Sequence, residues 1–546
     1  MRVDLHGRRV AGWIIALGNH GDDGFSEVSV DRLLPLQRHS GLGVISHLVP
    51  LALDVAADYL GPRRAVLQSA SAPKMSYSVG RAHYGKVQVP DDVVTQAMGK
   101  VAEQHVVLRV PPLLSALSAV LHLVQQGPVL VVCPTVRMAV VGAASLRRRG
   151  CSVALVPDDW DVALSGVDVV IGARSAVWAP CPNLSAIVVI DEHDESLREE
   201  RIPTWNAREV AYQRAKLENA RCILTSPLPS VEAGVLARDE TVDLIEVKSN
   251  EGWPQVVIAD LTDVPVAGSL ATSELLQRIR HSGHTVLCVL NTKGRARLLA
   301  CRQCRAISRC PHCQSALSTT DGDELFCGVC NQKQEAICGE CGRTSFLVLR
   351  AGISRLREQL SKSASAPVVE VDAKTSFDDL SDHNGIFIGT EALLHRVNRA
   401  DVVVLLDFDT EMLAPRVTAS RDAIALFIRA ARVVGRNGVI VLQTRHVQHL
   451  LIRALETLTN DSSLLDEWEK QDLDTRKMLN LPPFSSLARV EGEMTSDISF
   501  ANASVAQISD GSYLIRTQSK EDLRQLMTQL KESSVRVRVD MSPVRY

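Results

Sequence analysis

Between Cys301 and Cys341 the chain carries four C-x-x-C pairs: Cys301/Cys304, Cys310/Cys313, Cys327/Cys330 and Cys338/Cys341. No other stretch restricts the fold as tightly. A C-x-x-C turn aims two sulfurs at one point, and two such turns complete a tetrahedral thiolate site for Zn²⁺. Eight sulfurs make two closed sites, and a closed site holds structural rather than catalytic zinc. A disulfide set is the competing reading. It fits poorly with the remaining cysteines, Cys133, Cys151, Cys181, Cys222 and Cys288, which are scattered singly in or beside apolar stretches as core thiols would be.

Spacing suggests how the pairs combine. The second and third pairs flank residues 314–326, long enough for a β-hairpin, which favours one site from Cys310, Cys313, Cys327 and Cys330. The first and last pairs then close a second site from Cys301, Cys304, Cys338 and Cys341. A cross-braced pairing is compatible with the same spacing. The approach to this module is basic: Lys293, Arg295, Arg297, Arg302, Arg305 and Arg309 follow one another with no acidic residue between them. Beside a zinc ribbon such a run reads as a phosphate-contacting face, the alternative being a solvated loop.

A chain of 546 residues is too long for one hydrophobic core, and roughly three to five domains are expected. Its net charge is −3, so nucleic-acid contacts have to come from local patches rather than from the chain as a whole. No apolar run reaches the ~18 residues of a membrane span, and no signal-peptide pattern follows Met1. The expectation is a cytoplasmic, nucleoid-associated protein without membrane contact, in a reducing setting that suits zinc thiolates.

The hydrophobic rhythm divides the chain. Residues 1–43 alternate like strands and read as a partial N-terminal DNA-binding β domain; residues 44–75 are winged-helix-like and 76–104 a linker. From Val106 apolar strands alternate with short helices, the pattern of a parallel sheet covered on both faces. It defines one lobe over 105–246 and a second over 247–300 and 346–450, with the cysteine module, 301–345, inserted in the second. The tail, 451–546, starts helical and ends in an α/β domain.

Within the first lobe, Ile187–Asp194 reads IVVIDEHD. A buried strand ending in Asp-Glu is the arrangement of helicase motif II, where Asp191 would hold Mg²⁺ through water and Glu192 would polarise the attacking water. A strand meeting a polar turn is the plainer reading. An NTPase also needs a G-x-x-x-x-G-K-[ST] loop. Its place follows the strand at Val106–Val110, where the chain reads Arg109-Val110-Pro111-Pro112-Leu113. That stretch has no Gly, no Lys for phosphate and no hydroxyl for the metal. Pro111 and Pro112 also lack the N–H donors a phosphate cradle requires. Loss of tight ATP binding and turnover is expected. Thr225–Ser230 (TSPLPS) stands where a Ser-Ala-Thr motif would be. Arg429, Arg432 and Arg436 are candidate arginine fingers or a basic helix face. No nucleophile motif and no histidine-based catalytic metal site is recognised.

These pieces together resemble the PriA family of replication-restart proteins (primosomal protein N-prime), in particular the actinobacterial form that lacks a Walker A motif. The resemblance rests on LNTKGRARLLACRQC leading into the cysteines, VVLLDFD at Val403–Asp409, RKMLNLPPFSS at Arg476–Ser486, and IGARSAVWAPCPNLSAIVVIDEHDE with WNAREVA in the first lobe. It implies a multidomain α/β fold: two RecA-like helicase lobes, a zinc-ribbon insertion, N-terminal β-rich and winged-helix units, and a C-terminal α/β domain. It implies two Zn²⁺ in the nested pairing. The implied partners are branched and single-stranded DNA, single-stranded-DNA-binding protein, the replicative helicase and other primosome components. Family members are ATP-driven 3′-to-5′ helicases; the missing P-loop and the altered motif V and VI stretches set this chain apart. So does the absence, before Arg2, of a counterpart to the family's first strands. The leading expectation is a fork-binding, primosome-assembling protein without motor activity. The alternatives are an active ATP-dependent helicase and a zinc-ribbon transcription or RNA-handling factor.

Overall fold

The computed structural model describes residues 1–5, 8–19, 22, 29, 35–36, 41–73, 79–238, 242–249, 251–264, 269–280, 283–291, 299–304, 306, 308, 310–311, 317–318, 324–327, 332–348, 353–371, 385–414, 416–492, 503–509, 511–532 and 537–543. Its frame is a pair of parallel sheets. In lobe 1 the seven strands stand in the order Val153–Val156, Val169–Gly172, Val129–Val132, Ala186–Val189, Arg221–Ser226, His105–Arg109, Asp243–Glu246. In lobe 2 six strands stand in the order Gln255–Asp260, Val439–Thr444, Val402–Leu405, Val286–Val289, Ile386–Gly389, Val368–Val371. Strands such as Val129–Val132 (VLVV) and Val402–Leu405 (VVVL) are buried along their whole length. A strand covered by helices on both faces has to be apolar throughout, so these runs do not alternate.

The module between the lobe-2 strands stands on a two-stranded stem. Leu299–Cys301 pairs antiparallel with Phe346–Val348, with Cys301 opposite Phe346. Above the stem, Leu317–Ser318, Glu324–Cys327 and Lys333–Glu335 form a three-stranded antiparallel sheet, which supplies the hairpin expected between the second and third cysteine pairs.

The N-terminal region shows a hairpin, Arg2–Leu5 with Arg8–Ala11, and two helices, Val49–Asp58 and Arg63–Ser69. The described residues of the winged-helix-like stretch, 44–73, hold these helices and no strand. The linker stretch proves to be docked on lobe 1. His83 N–H donates to Gly166 O (3.0 Å), Gly85 N–H to Asp168 (2.8 Å) and Gln88 N–H to Arg149 O (2.8 Å). Helix Val93–Met98 follows, capped by Asp92, whose other oxygen accepts from Ser118 (2.6 Å).

The C-terminal domain is richer in strand than its sequence pattern suggests. Ala503–Ser509, Ser512–Thr517, Ser486–Glu491 and Arg538–Met541 make a four-stranded antiparallel sheet with helix Lys520–Glu532 against it. One buried cluster runs from Leu48 and Val55 through Trp178 and Trp205 of lobe 1 to Ala488, Val490 and Ile515 of this sheet. The N-terminal helices, lobe 1 and the C-terminal domain therefore share a core. Lobe 2 has clusters of its own on its two faces.

Candidate functional site

Asp191 and Glu192 follow the strand Ala186–Val189 and are both buried, at 3% and 1% exposure. Asp191 adopts a left-handed backbone (φ 49°), a conformation Asp tolerates better than most residues. Its carboxylate faces lobe 2. There, helix Ala419–Val434 places Arg429 and Arg432 one turn apart on the face toward lobe 1. Arg432 donates Nη1 and Nη2 to Asp191 Oδ2 and Oδ1, at 2.6 and 2.5 Å. Arg429 bonds Glu391 of lobe 2 and lies 3.7 Å from Asp194. The Arg429 charge and two hydrogen bonds from Ser196 outweigh burial and hold the Asp194 carboxyl below its ordinary value. Gly435, with φ 68°, ends the helix, and Arg436 beyond it pairs with Glu251.

Glu192 is held from its own lobe. Oε1 accepts from Ser230 N–H (2.6 Å); Oε2 accepts from Ser230 Oγ (2.7 Å) and Arg208 (3.1 Å). The neighbouring His193 Nδ1 sits 2.7 Å from Ser226 Oγ, and burial pushes its imidazole below the usual histidine range. The TSPLPS stretch thus keeps a hydroxyl-mediated hold on the acidic motif. Every oxygen of Asp191 and Glu192 is engaged by a protein donor. Holding a metal ion or orienting a water would require releasing them.

The loop after His105–Arg109 has its backbone donors engaged as well. Val110 N–H donates to Ser226 O (2.9 Å), Leu113 N–H donates to Gly252 O (3.2 Å), and Pro111 and Pro112 have no N–H. Gly252 presses on the proline pair so closely that a Cβ there would come within 2.4 Å of Pro111 Cβ. Arg109, 5% exposed, turns away to the helix Ser463–Met478, bonding Asp466 (2.8 Å) and Glu469 (2.7 Å). Arg421 joins the same junction through Asp472 (3.1 Å) and Pro229 O (3.0 Å), with its guanidinium 4.7 Å above the Trp468 ring. A cavity of about 530 Å³ lies beside this clasp, between lobe 1, lobe 2 and the C-terminal domain, with Glu192, Asn291, Arg416 and Arg476 among its walls.

The candidate metal centre is assembled by the stem. Pairing Leu299–Cys301 with Phe346–Val348 brings the first C-x-x-C turn against the last, and Cys301, Cys304, Cys338 and Cys341 converge with all sulfurs within 4.8 Å of one another. Tight backbone turns aim them: Cys301 N–H donates to Ala306 O (2.9 Å), and Cys338 N–H to Arg343 O (2.8 Å). The Sγ atoms of Cys301 and Cys341, and of Cys304 and Cys338, stand 3.5 Å apart. A disulfide would need about 2.05 Å. A tetrahedral ion ~2.3 Å from each sulfur needs edges of about 3.8 Å. The set fits zinc, with these four thiolates as its ligands. Of the inner set, Cys310 and Cys327 are buried beside Leu299, Leu317 and Leu325, while Cys313 and Cys330 lie outside the described residues.

Of the proposed phosphate-contacting residues, Lys293, Arg295, Arg297, Arg305 and Arg309 lie outside the described residues. Arg302 is exposed at the metal centre, its Nε donating to Phe346 O (3.2 Å). Sequence reasoning missed Arg208, Ser230, Asp466 and Glu469. Only the Asp466/Glu469 i,i+3 spacing on a helical stretch hinted at a paired acidic face.

Two parallel-sheet lobes facing each other across an acidic Asp-Glu turn, with a candidate cysteine metal centre inserted in the second, define a multidomain α/β architecture. The chain is similar to the replication restart protein PriA of Bacillus subtilis, 26% identical over 374 residues, covering 63% of this chain and 46% of that protein. It is also similar to PriA of Haemophilus influenzae, 27% identical over 378 residues, covering 64% and 51%. The match is at the level of the PriA replication-restart family and extends across diverse bacteria. The chain spans about half the length of these curated relatives. No protein-family model matches the sequence. Among solved structures, S. cerevisiae Dbp5 bound to RNA and ADP BeF3 aligns over 70% of this chain and 93% of that one, with a TM-score of 0.38 and 11% identity. Among the described residues, no helix is long and apolar enough to cross a membrane.

Proposed function

We propose that this chain is a replication-restart protein of the PriA kind that binds stalled or abandoned forks and promotes primosome assembly and replicative-helicase loading without working as a helicase. The observation that carries the non-motor half is the two-pronged grip of Arg432 on Asp191. A guanidinium occupies the carboxylate on which a motor would hold its Mg²⁺. The proline pair and the spent amides at Val110 and Leu113 support the same reading. The fork-binding half is supported by the family-level similarity and by the four-thiolate centre. In this reading the lobes serve as a clasped scaffold, the module is fastened by two Zn²⁺, and the basic approach to it meets DNA phosphates. Branched and single-stranded DNA, single-stranded-DNA-binding protein and the replicative helicase are its partners.

The test is DNA-stimulated ATP hydrolysis by the purified chain. The expected result is no DNA-dependent turnover and no change on Asp191→Asn; hydrolysis abolished by that substitution would overturn the proposal. Tighter binding to forked DNA than to plain duplex or RNA is also expected, and equal binding of all three would remove the fork-binding half. The competing reading, an ATP-dependent 3′-to-5′ helicase, is favoured by one observation: Asp191, Glu192, Arg429 and Arg432 all stand at the lobe interface, where a working site keeps such groups.

A further inference from the structure

The docked strap ahead of lobe 1 does more than join two units. Residues 81–86 read RAHYGK, a basic run with an aromatic set into it. The strap lies over the turn that ends helix Val136–Arg148, which carries Arg147, Arg148 and Arg149. The approach is close: a Cβ on Gly85 would come within 1.9 Å of Gly150 O, and one on Gly150 within 2.2 Å of Lys86 O. Gln88 N–H donates to Arg149 O (2.8 Å), and Ser152 Oγ to His83 O (2.7 Å). Basic residues some sixty positions apart are therefore carried on two segments in direct backbone contact, an arrangement that docking creates and sequence proximity does not.

Arg81, Lys86, Arg148 and Arg149 are exposed, and none has an ion-pair or side-chain hydrogen-bond partner among the described residues. Arg147 differs: it caps its own helix end, bonding Val153 O (3.0 Å) and Asp159 (3.4 Å). The buried carboxylate of Asp168 accepts from Gly85 N–H (2.8 Å) and Ser152 N–H (2.7 Å) at Oδ2. Asp158 is exposed on the turn beyond the far end of strand Val153–Val156, and Asp161 is exposed in the first turn of helix Trp160–Ser165 that follows. Tyr84, half-exposed at 50%, lies on the same strap between Arg81 and Lys86, with its hydroxyl beside Gly166. Residues 149–152 and 166–168 precede their strands, whereas Asp191 follows its own. In a parallel sheet those are opposite edges, so the patch is remote from the interlobe clasp.

We propose that Arg81, Lys86, Arg148 and Arg149, with the exposed Tyr84 of the same strap, form a contact surface for single-stranded nucleic acid on the outer edge of lobe 1. Unpaired cations supply sequence-independent phosphate contacts, and an exposed aromatic ring supplies a stacking platform for an unpaired base. The aromatic component favours a single strand over an acidic peptide, which offers nothing to stack. The inference rests on the reading of the chain as a DNA-binding protein and adds a second point of contact, away from the zinc module.

The experiment compares the full chain with a Lys86→Ala/Arg148→Ala/Arg149→Ala variant, binding a labelled thymidine oligonucleotide across a salt titration. The triple variant is expected to bind about tenfold more weakly, with a log–log salt slope shallower by about 2, from ~0.7 per lost phosphate contact. The charge-keeping variant Lys86→Arg/Arg148→Lys/Arg149→Lys is expected to retain both affinity and slope. Tyr84→Ala is expected to lower affinity roughly fivefold and Tyr84→Phe to preserve it, because stacking needs the ring and not the hydroxyl. All these side chains are exposed, and an unchanged melting temperature checks the fold. Wild-type affinity and slope in the alanine triple overturn the inference while leaving the fork-binding proposal standing. So does loss of polyglutamate binding with oligonucleotide binding untouched. A wild-type chain that binds no DNA overturns both.

Discussion

Arg432 of lobe 2 and Asp191 of lobe 1 form a two-pronged ion pair, nitrogen to oxygen at 2.6 and 2.5 Å, across the cleft between the sheets. Asp191 is almost fully buried and Arg432 one-third exposed. Removing one partner of such a pair strands the other charge in a poorly solvated place. Arg432→Ala is expected to destabilise the chain by about 2–3 kcal/mol in urea melts, and a double-mutant cycle with Asp191→Asn to return a coupling of ~1–3 kcal/mol. Coupling near zero would mean the lobes are not held together here.

Arg109 ties the first strand of lobe 1 to a helix that begins more than 350 residues later, through Asp466 and Glu469. Arg109→Ala leaves Asp466 without its cation and Glu469 with only Arg421, 3.6 Å away, and opens space at a site that is 5% exposed. A loss of roughly 2–4 kcal/mol is expected, with Arg109→Lys recovering only part, because one ammonium does not reproduce two directed guanidinium bonds. A melt of Arg109→Ala that matches wild type would show that the junction contributes nothing to stability.

Two zinc ions per chain are expected by metal analysis. Cys338→Ser should remove one and disorder the stem-side turns, because a closed thiolate site supplies folding free energy directly. Cys310→Ser should remove the other. A count of one zinc in the wild type, unchanged in Cys310→Ser, would reduce the module to the single site of Cys301, Cys304, Cys338 and Cys341.

His193 carries a pH dependence with a defined sign. Burial, the largest influence, lowers its proton affinity below the ordinary 6.5; Asp191, Glu192 and Asp194 act the other way and Arg432 reinforces burial. Its folded pKa lies below its unfolded one, so the unfolded chain binds the extra proton first as pH falls. Stability is fully present above about 6.5 and declines as pH drops from there toward the folded pKa. His193→Gln, which cannot titrate, is expected to flatten that part of the stability profile. An unchanged slope would assign it to other histidines lowered by burial, such as His105, His122 and His449.

Gly252 is held against Pro111 so tightly that any side chain must displace it. Gly252→Ala is expected to cost about 1–3 kcal/mol as an overpacked contact. Gly283, around which a Cβ meets nothing, has positive φ (89°) but no such contact. Gly283→Ala should therefore cost only its backbone strain, and equal losses at the two positions would show that the proline contact is not tight.

The lobe-1 and lobe-2 strands were legible because burial on both faces demands uninterrupted apolar runs, as in VLVV and VVVL. The outer cysteine set was legible as the pairing that spacing favours, while the cross-braced alternative was left open until the stem strands brought Cys301, Cys304, Cys338 and Cys341 together. The C-terminal sheet was not: Ala503–Ser509 (ASVAQIS) is half polar and largely exposed, and Ser512–Thr517 enters the core shared with lobe 1 through Ile515 alone. The docked strap was not legible either, since RAHYGKVQV has no strong period and is held largely by backbone bonds to residues 149–168. Arg429 and Arg432 could be named as candidates, but not their partners.

By itself the sequence determined that thiolates gather in the middle of the chain, that apolar strands build two parallel sheets, and that the loop after His105–Arg109 lacks the donors of a phosphate cradle. Those are properties of residue type and short spacing, and they do not depend on what packs against them. Only the tertiary structure decided that Arg432 closes on Asp191, that Arg109 turns to Asp466 and Glu469, and that Gly85 N–H reaches Asp168. Each of these joins groups distant in sequence, and the free energy of such a pair depends on burial and geometry that exist only once the domains have packed.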